Sequence, residues 1–307
     1  MWRAGAPTVN LTHKEKYFKD GTYYKGQTKD GKRHGKGKET FPDETYYVGE
    51  WENDYKHGQG KQTYIDGVYE GAFQHDERHG KGIMTFHDGS EYDGEWKNDQ
   101  KDGKGKMNCF LIYKYEGDYK SDKKHGYGEY TSYDGTLYVG KFENDKKHGS
   151  GVETYTNGCV YDGDFQNGRR HGKGKETSDG YTYEGEYREG KKHGHGKETS
   201  NNTTYCGGWK DGKKHGKGKL EGPYNEVYDG EFKNGKKDGK GKYTTAEGEY
   251  EGDFKDGEKH GVGTMTYLDG SFYQGNWVCD EKVGGTTFDR DGRRTDMGIK
   301  RRKINLL

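Results

Sequence analysis

The stretch Tyr183-Glu184-Gly185-Glu186-Tyr187-Arg188-Glu189-Gly190-Lys191-Lys192-His193-Gly194-His195-Gly196-Lys197-Glu198-Thr199 holds one complete copy of the pattern that decides the fold. Counted from its tyrosine as position 0, it places glycine at +2, an aromatic ring at +4, a basic residue at +9, histidine at +10, glycine at +11 and +13, and threonine at +16. Working outward, the pattern restarts at Tyr24, Tyr47, Tyr69, Tyr92, Tyr115, Tyr138, Tyr161, Tyr183, Tyr205, Tyr228, Tyr250 and Tyr273, in steps of 22 or 23 residues. Glycine fills +2 and +11 in all twelve copies and +13 in eleven. The +4 residue is aromatic in eleven, only Thr28 departing, and +9 is Lys or Arg in all twelve. A fixed period of this length marks a stack of small supersecondary units.

Positions 0, +2 and +4 share one face of a β-strand because strand side chains alternate, which puts +1 and +3 on the other face. That second face is mostly acidic, as in Glu116, Asp118, Asp162, Asp164, Glu251 and Asp253. The polar run from +5 to +10, such as Lys97 to Asp102, reads as a hairpin loop. A second strand follows, with Gly at +11 and +13 on one face and Lys at +12 and +14 with Thr at +16 on the other. Asp66-Gly67, Asp88-Gly89, Asp134-Gly135, Asn157-Gly158, Asp179-Gly180 and Asp269-Gly270 then mark a tight turn into the next copy. Glycine in a strand is often kept where something must approach closely. The rings at 0 and +4 are therefore expected to lie on bare backbone at +2, +11 and +13, three positions that hold 35 of the 55 glycines.

Tyr-x-Gly-x-aromatic, a polar turn, then His-Gly-x-Gly closely resembles the MORN repeat (membrane occupation and recognition nexus), twelve copies running in register over residues 24–288. The expected fold is all-β: an elongated, single-layer antiparallel sheet of about twelve stacked β-hairpins, forming a twisted open rod. At ~4.8 Å per strand, about 24 strands give a length on the order of 110 Å. Residues 1–23 read as an N-terminal cap with a half-repeat, and residues 289–307 as a basic C-terminal tail carrying Arg293, Arg294, Lys300, Arg301, Arg302 and Lys303.

Composition agrees with this architecture and excludes others. Leu, Ile, Val and Phe supply only 33 of 307 residues, too few for the centre of a two-layer globule. Disorder normally needs high net charge and few aromatics, whereas Lys+Arg and Asp+Glu both number 53 and 44 residues are Phe, Trp or Tyr. Pro is only 3 and no three-residue period occurs, which excludes collagen. Cys109, Cys159, Cys206 and Cys279 form no CxxC pair and read as free thiols in a reducing compartment. With no apolar leader at the start, a cytoplasmic protein is expected. Balanced charge also gives no overall attraction to nucleic acid.

Four features are candidate sites. The first is the aromatic face: Tyr47, Trp51, Tyr69, Phe73, Tyr92, Trp96, Tyr115, Tyr119, Tyr138, Phe142, Tyr161, Phe165, Tyr183, Tyr187, Tyr205, Trp209, Tyr228, Phe232, Tyr250, Phe254, Tyr273 and Trp277. These rings form the core, and if twist curves the sheet toward them they also line a groove for a partner helix or extended segment. The second is a basic edge at +8 and +9: Lys123, Lys124, Lys146, Lys147, Arg169, Arg170, Lys191, Lys192, Lys213, Lys214, Lys236 and Lys237. It reads either as a solvated edge or as a contact for anionic phospholipid headgroups. The third is the histidine row at +10, expected to close the turn by hydrogen bonding to loop backbone. One histidine per repeat, with copies ~10 Å apart, does not assemble a zinc site. The fourth is the basic tail.

No nucleophile elbow, kinase signature or dinucleotide fingerprint occurs, and polar residues copied repeat after repeat are unlike one irregular catalytic constellation. The expectation is a non-catalytic scaffold or adaptor without cofactor, catalytic residue or metal. What the resemblance implies is a place at the cytoskeleton, cilium or cell cortex, with a phospholipid-binding membrane adaptor as the alternative. A homodimer through an end repeat is a further expectation.

Overall fold

The computed structural model describes residues 10–295. It divides into two compact units, Met1–Thr156 and Asn157–Leu307. The first holds thirteen described strands, from Thr12–Tyr17 to Lys146–Thr154, and the second thirteen, from Val160–Gln166 to Arg294–Thr295. The only described helix is the single 3-10 turn Pro223–Asn225. Within each unit every strand pairs antiparallel with its neighbours in sequence, and the sheet stays open. Among the described residues, strand Thr12–Tyr17 pairs on one side only, with Tyr23–Lys29, and Arg294–Thr295 only with Glu281–Phe288. The tail residues Ile299 to Leu307, with Lys300, Arg301, Arg302 and Lys303, lie outside the described residues.

The register explains the period. The +2 and +13 glycines stand directly opposite one another along each unit. In the first, Gly82 faces Gly94, Gly94 faces Gly105, Gly105 faces Gly117 and Gly117 faces Gly128. In the second, Gly174 faces Gly185, Gly185 faces Gly196 and Gly196 faces Gly207. A bare stripe of backbone thus crosses the strands, and the position-0 tyrosines lie down on it. A Cβ added at Gly185 would sit 2.6 Å from the Tyr183 hydroxyl, and one at Gly196 2.7 Å from Cε2 and Cζ of the same ring.

Two expectations are corrected. The hairpin loop is two residues long, not six. Lys97 pairs with Gln100, so Asn98 and Asp99 alone make the turn. Both have positive φ, 50° and 64°, as do the corresponding pairs in the other repeats, for example Asn144-Asp145 and Asn167-Gly168. Positive φ at both central residues is the type I′ geometry that suits right-twisted strands. The glycine at +11 does not bed a ring either. It adopts positive φ, 61° at Gly126 and 62° at Gly172, beside a shift in strand register. This is a β-bulge requiring glycine's backbone freedom.

Candidate functional site

The ring face is closed. The twelve position-0 tyrosines are 0–2% exposed and the eleven +4 rings 3–6%. Each position-0 hydroxyl donates to the backbone carbonyl at +3, as in Tyr24 to Gln27 (2.7 Å), Tyr115 to Asp118 (2.9 Å) and Tyr228 to Glu231 (2.9 Å). That carbonyl lies at the bulge, which accounts for tyrosine where phenylalanine would fill the same space. Rings meet edge to face along each unit. Tyr47 contacts Trp51 and Phe73 at 5.2 and 5.0 Å, and Tyr183 contacts Tyr187 and Trp209 at 5.2 and 5.3 Å. Trp51, Trp96, Trp209 and Trp277 each donate Nε1–H to the +13 glycine carbonyl of the preceding repeat at 3.1–3.2 Å. Burial drives the Tyr24, Tyr205 and Tyr250 hydroxyl pKa up to about 12.

The basic residues at +9 roof these rings. Arg33 lies 4.2 Å from the Trp51 centroid, Arg78 4.2 Å from Trp96, Arg170 4.4 Å from Tyr161 and Lys192 4.6 Å from Tyr183. Burial lowers the pKa of Lys56, Lys101, Lys124, Lys214 and Lys237. Carboxylates at +15 join several of them: Arg33 pairs with Glu39, Lys147 with Glu153, and Arg170 with Glu176 at 2.8 Å. Burial still raises the Glu39 carboxyl despite Arg33 beside it. The aromatic residues named from sequence, Tyr47 through Trp277, are thus brought together as a packed core, and they line no open groove within either unit.

The basic edge separates into two sets for the same reason. Strand alternation continues to the two-residue turn, so +8 and +9 face opposite ways. Lys123, Lys146, Arg169, Lys191, Lys213 and Lys236 remain exposed. Lys124, Lys147, Arg170, Lys192, Lys214 and Lys237 do not join them, because they lie over rings. Two of the exposed set are paired with acids of the following turn, Arg169 with Glu189 at 2.8 Å and Lys236 with Asp256 at 3.2 Å.

The histidines do not close the turn as expected. Nδ1 of His34, His57, His125, His171, His193 and His215 is buried without a hydrogen-bond partner. Aspartate at +7 does that work: Asp54, Asp76, Asp99, Asp122, Asp145 and Asp280 accept the backbone N–H of the preceding repeat's +9 residue at 2.7–2.9 Å. A second missed role belongs to +3. Asp118 accepts from Tyr127 N–H at 2.9 Å and Glu186 from His195 N–H at 3.0 Å, folding across the +11 glycine to cap the bulge. The sequence signals were the Asn-Asp and Asn-Gly pairs at +6/+7 and the recurring acid opposite His-Gly.

The concave surface lies on the face opposite the rings. In the first unit, concavities of 510 and 530 Å³ share Lys81 and Asp93 and run over the Gly60, Gly71, Gly94, Gly105 and Gly117 backbone. In the second unit, one of 710 Å³ is lined by Lys173, Lys175, Glu184 and Glu186, and one of 730 Å³ by Asp229, Glu231, Lys240 and Lys242. Rows of acid and lysine alternate strand by strand. They pair between neighbouring repeats, with Lys106 to Glu116 at 3.0 Å, Lys104 to Asp118 at 2.5 Å and Lys240 to Asp253 at 2.6 Å. Such a surface offers both signs of charge at a fixed spacing on a rigid floor.

Comparison with known proteins follows the same repeats. No curated protein matches the chain. Among solved structures, the chain is similar to the SAS-4 TCP domain of Drosophila melanogaster, solved in complex with a proline-rich motif of Ana2. Identity there is 16%, over 52% of this chain and 92% of that one, with a TM-score of 0.30. It is also similar to BamB from Moraxella catarrhalis, with 8% identity over 72% of this chain and 87% of that one and a TM-score of 0.16. A streptogramin B lyase aligns at 13% identity over 88% and 92%, with a TM-score of 0.14. Scores this low carry neither fold nor function. The MORN repeat family model, by contrast, matches eleven times: 24–46, 47–68, 69–91, 92–109, 115–137, 138–160, 161–181, 183–204, 205–223, 228–249 and 250–272. Those matches begin on the tyrosines that lie on the glycine stripe, and the chain belongs to the MORN repeat family.

Proposed function

We propose that the protein is a non-catalytic scaffold that holds partner proteins on the charged, glycine-floored face of its repeats, at the cytoskeleton, cilium or cell cortex. The supporting observation is that the concavities of both units lie on this face and are lined by the same repeat positions. Polar groups recur there in rows, whereas catalysis converges a nucleophile, its base and an orienting group. Cys206 Sγ lies 3.8 Å from His195 Nε2, exposed, and among the described residues no further hydrogen bond orients the His195 ring. The test is cross-linking of the full chain in cells, compared with a D229K/E231K/E251K variant. Loss of the same cross-linked partner supports the reading, and an unchanged set of partners from a folded variant rejects it. Imaging of tagged protein checks the location.

A second reading, a phospholipid-binding adaptor, draws on the exposed +8 row, since basic residues near an anionic bilayer contribute about 1 kcal/mol each. Flotation with phosphoinositide vesicles, repeated after charge reversal at Lys123, Lys146, Arg169, Lys191, Lys213 and Lys236, decides it. Flotation that disappears on reversal supports lipid; no flotation at physiological salt rejects it. A homodimer through an end repeat is checked by light scattering.

A further inference from the structure

The turns between repeats vary, and one of them is wholly apolar. Several such turns hold a glycine at positive φ, 85° at both Gly89 and Gly135, and others place Glu44, Asn202 or Tyr224 there, at 68°, 61° and 60°. After Cys109 the chain instead runs Phe110-Leu111-Ile112, with Leu111 at φ 55° and Ile112 N–H donating to Cys109 O at 3.0 Å. The family matches also break here, between 109 and 115. Leucine in this conformation is strained, and strain of this kind is kept where it serves a site. The three side chains are 56%, 71% and 59% exposed. Phe110 is nevertheless held in place, because its N–H donates to the buried Ser90 hydroxyl at 3.0 Å and its ring lies against Gly89.

Beside this turn is a concavity of 380 Å³ reached by Glu91, Asp93, Lys106, Lys114, Glu116 and Glu129. Lys106 and Glu116 neutralise each other at 3.0 Å. Glu129 stands directly opposite Glu116 in the register, a destabilising like-charge pair unless a cation intervenes. Among the described residues, no ion pair engages Glu91, Asp93 or Glu129. The apolar tip therefore ends a hairpin whose residues Asn108 and Lys114 line a concavity with four carboxylates against two lysines.

We propose that the Phe110–Leu111–Ile112 turn and the acid-lined concavity beside it form a docking site for a protein segment bearing an apolar side chain flanked by Lys or Arg. The surplus acids select a basic occupant and disfavour the anionic surface of a bilayer. The assignment rests on the scaffold reading only in taking the occupant to be a protein.

The test is selection of a random peptide library on the immobilised full chain, followed by fluorescence anisotropy of the enriched peptides. Two variants are compared, F110D/L111G/I112S, which restores the Asp-Gly chemistry of the other turns, and E91Q/D93N/E129Q. Circular dichroism verifies that both remain folded; L111G removes strain, so the first is expected to. Enriched peptides should carry an apolar residue beside Lys or Arg. They should lose ~30-fold or more in affinity on the turn variant, as at an interface hot spot, and ~3–10-fold on the acid variant, with weaker salt dependence. Acidic or unrelated enriched peptides, or equal affinity for the turn variant, would overturn the proposal. So would vesicles of phosphatidylcholine and phosphatidylserine that bind the wild type and not the turn variant. If affinity falls instead on D229K/E231K/E251K, this site fails while the scaffold reading stands.

Discussion

The contact between Tyr183 and Gly196 offers a quantitative test of the ring-on-glycine core. A methyl at Gly196 would lie 2.7 Å from Cε2 and Cζ of Tyr183 and closer still to its hydroxyl. The ring has little freedom to yield, with Tyr187 and Trp209 edge-on at 5.2 and 5.3 Å and its hydroxyl donating to Glu186 O at 3.0 Å. Gly196→Ala should therefore cost ~3 kcal/mol, the upper part of the range for overpacking. Tyr183→Ala should cost ~4 kcal/mol, as for other large buried rings. If the clash is the cause, the double variant costs no more than Tyr183→Ala alone, giving a coupling of ~3 kcal/mol where independent sites would add. Tyr183→Phe keeps the ring and removes only the donor to the bulge carbonyl, for ~1–3 kcal/mol. Repeat arrays do not unfold as one unit. The measurement is therefore native-state hydrogen exchange of amides in strands Tyr181–Arg188 and Lys191–Ser200 of the full chain. Additivity within ~0.5 kcal/mol would refute the close-approach account of the +13 glycine.

Alkaline pH should unfold the repeats. Burial raises the Tyr24, Tyr205 and Tyr250 pKa to about 12. Their contribution is complete below the unfolded value near 10 and is lost as pH rises from 10 toward 12, at ~1.4 kcal/mol per pH unit for each tyrosine. Phenolate absorbance should appear together with loss of circular dichroism; phenolate forming in a still-folded chain would contradict this. Gly126→Ala places a Cβ at φ 61° and 2.6 Å from Asp118 Oδ2, so it should cost ~2 kcal/mol or more. Gly168→Asn, in an open turn with no atom within 4 Å, should stay below ~1 kcal/mol. Lys147→Met leaves the buried Glu153 carboxylate with the Tyr155 hydroxyl but without its paired ammonium, and should cost ~2–3 kcal/mol. Lys124→Met, at a lysine whose charge burial disfavours, should be within ~1 kcal/mol of neutral by thermal melting.

The core was legible because strand alternation at 0, +2 and +4 is a local rule, and the rings at these positions are buried as a set. The surface was less so, and one missed turn explains most of it. Taking +5 to +10 as loop leaves the faces of +8 and +9 undefined, which merges Lys123 with Lys124 into one edge. Taking Asn98-Asp99 or Asn167-Gly168 as a two-residue turn extends the strands and sends the two basic residues to opposite faces. The +11 glycine was misassigned for a related reason. Counting by twos puts Gly126 with Gly128, but the bulge between Gly117 and Asp118 breaks the count. Histidine was chosen as the turn closer because it recurs, while Asp145, varied to Gly in later repeats, holds the Lys124 N–H at 2.9 Å.

The geometry that makes the core uniform leaves individuality elsewhere. Tyrosine on glycine tolerates no added atom, so positions 0 and +2 are uniform in all twelve repeats and +13 in the first eleven, with Thr286 in the last. Positions +1, +12 and +14 carry no such restriction, since they project from the other face. There many copies keep opposed charges, Asp93 facing Lys106 in the first unit and Asp162 facing Lys175 in the second, while Cys206 faces Lys219 and Thr264 faces Gln274. In the first unit Val139 faces Val152, next to the exposed Tyr127. A cross-strand pair contributes only about 0.2–1 kcal/mol, so exchanging charged for apolar pairs costs the fold little. Exposed apolar area at a concave surface favours partner contact, however. Differences among repeats that fold alike are therefore concentrated at positions where they alter the exposed surface. The apolar turn at Phe110 is the same principle applied to a connection between repeats.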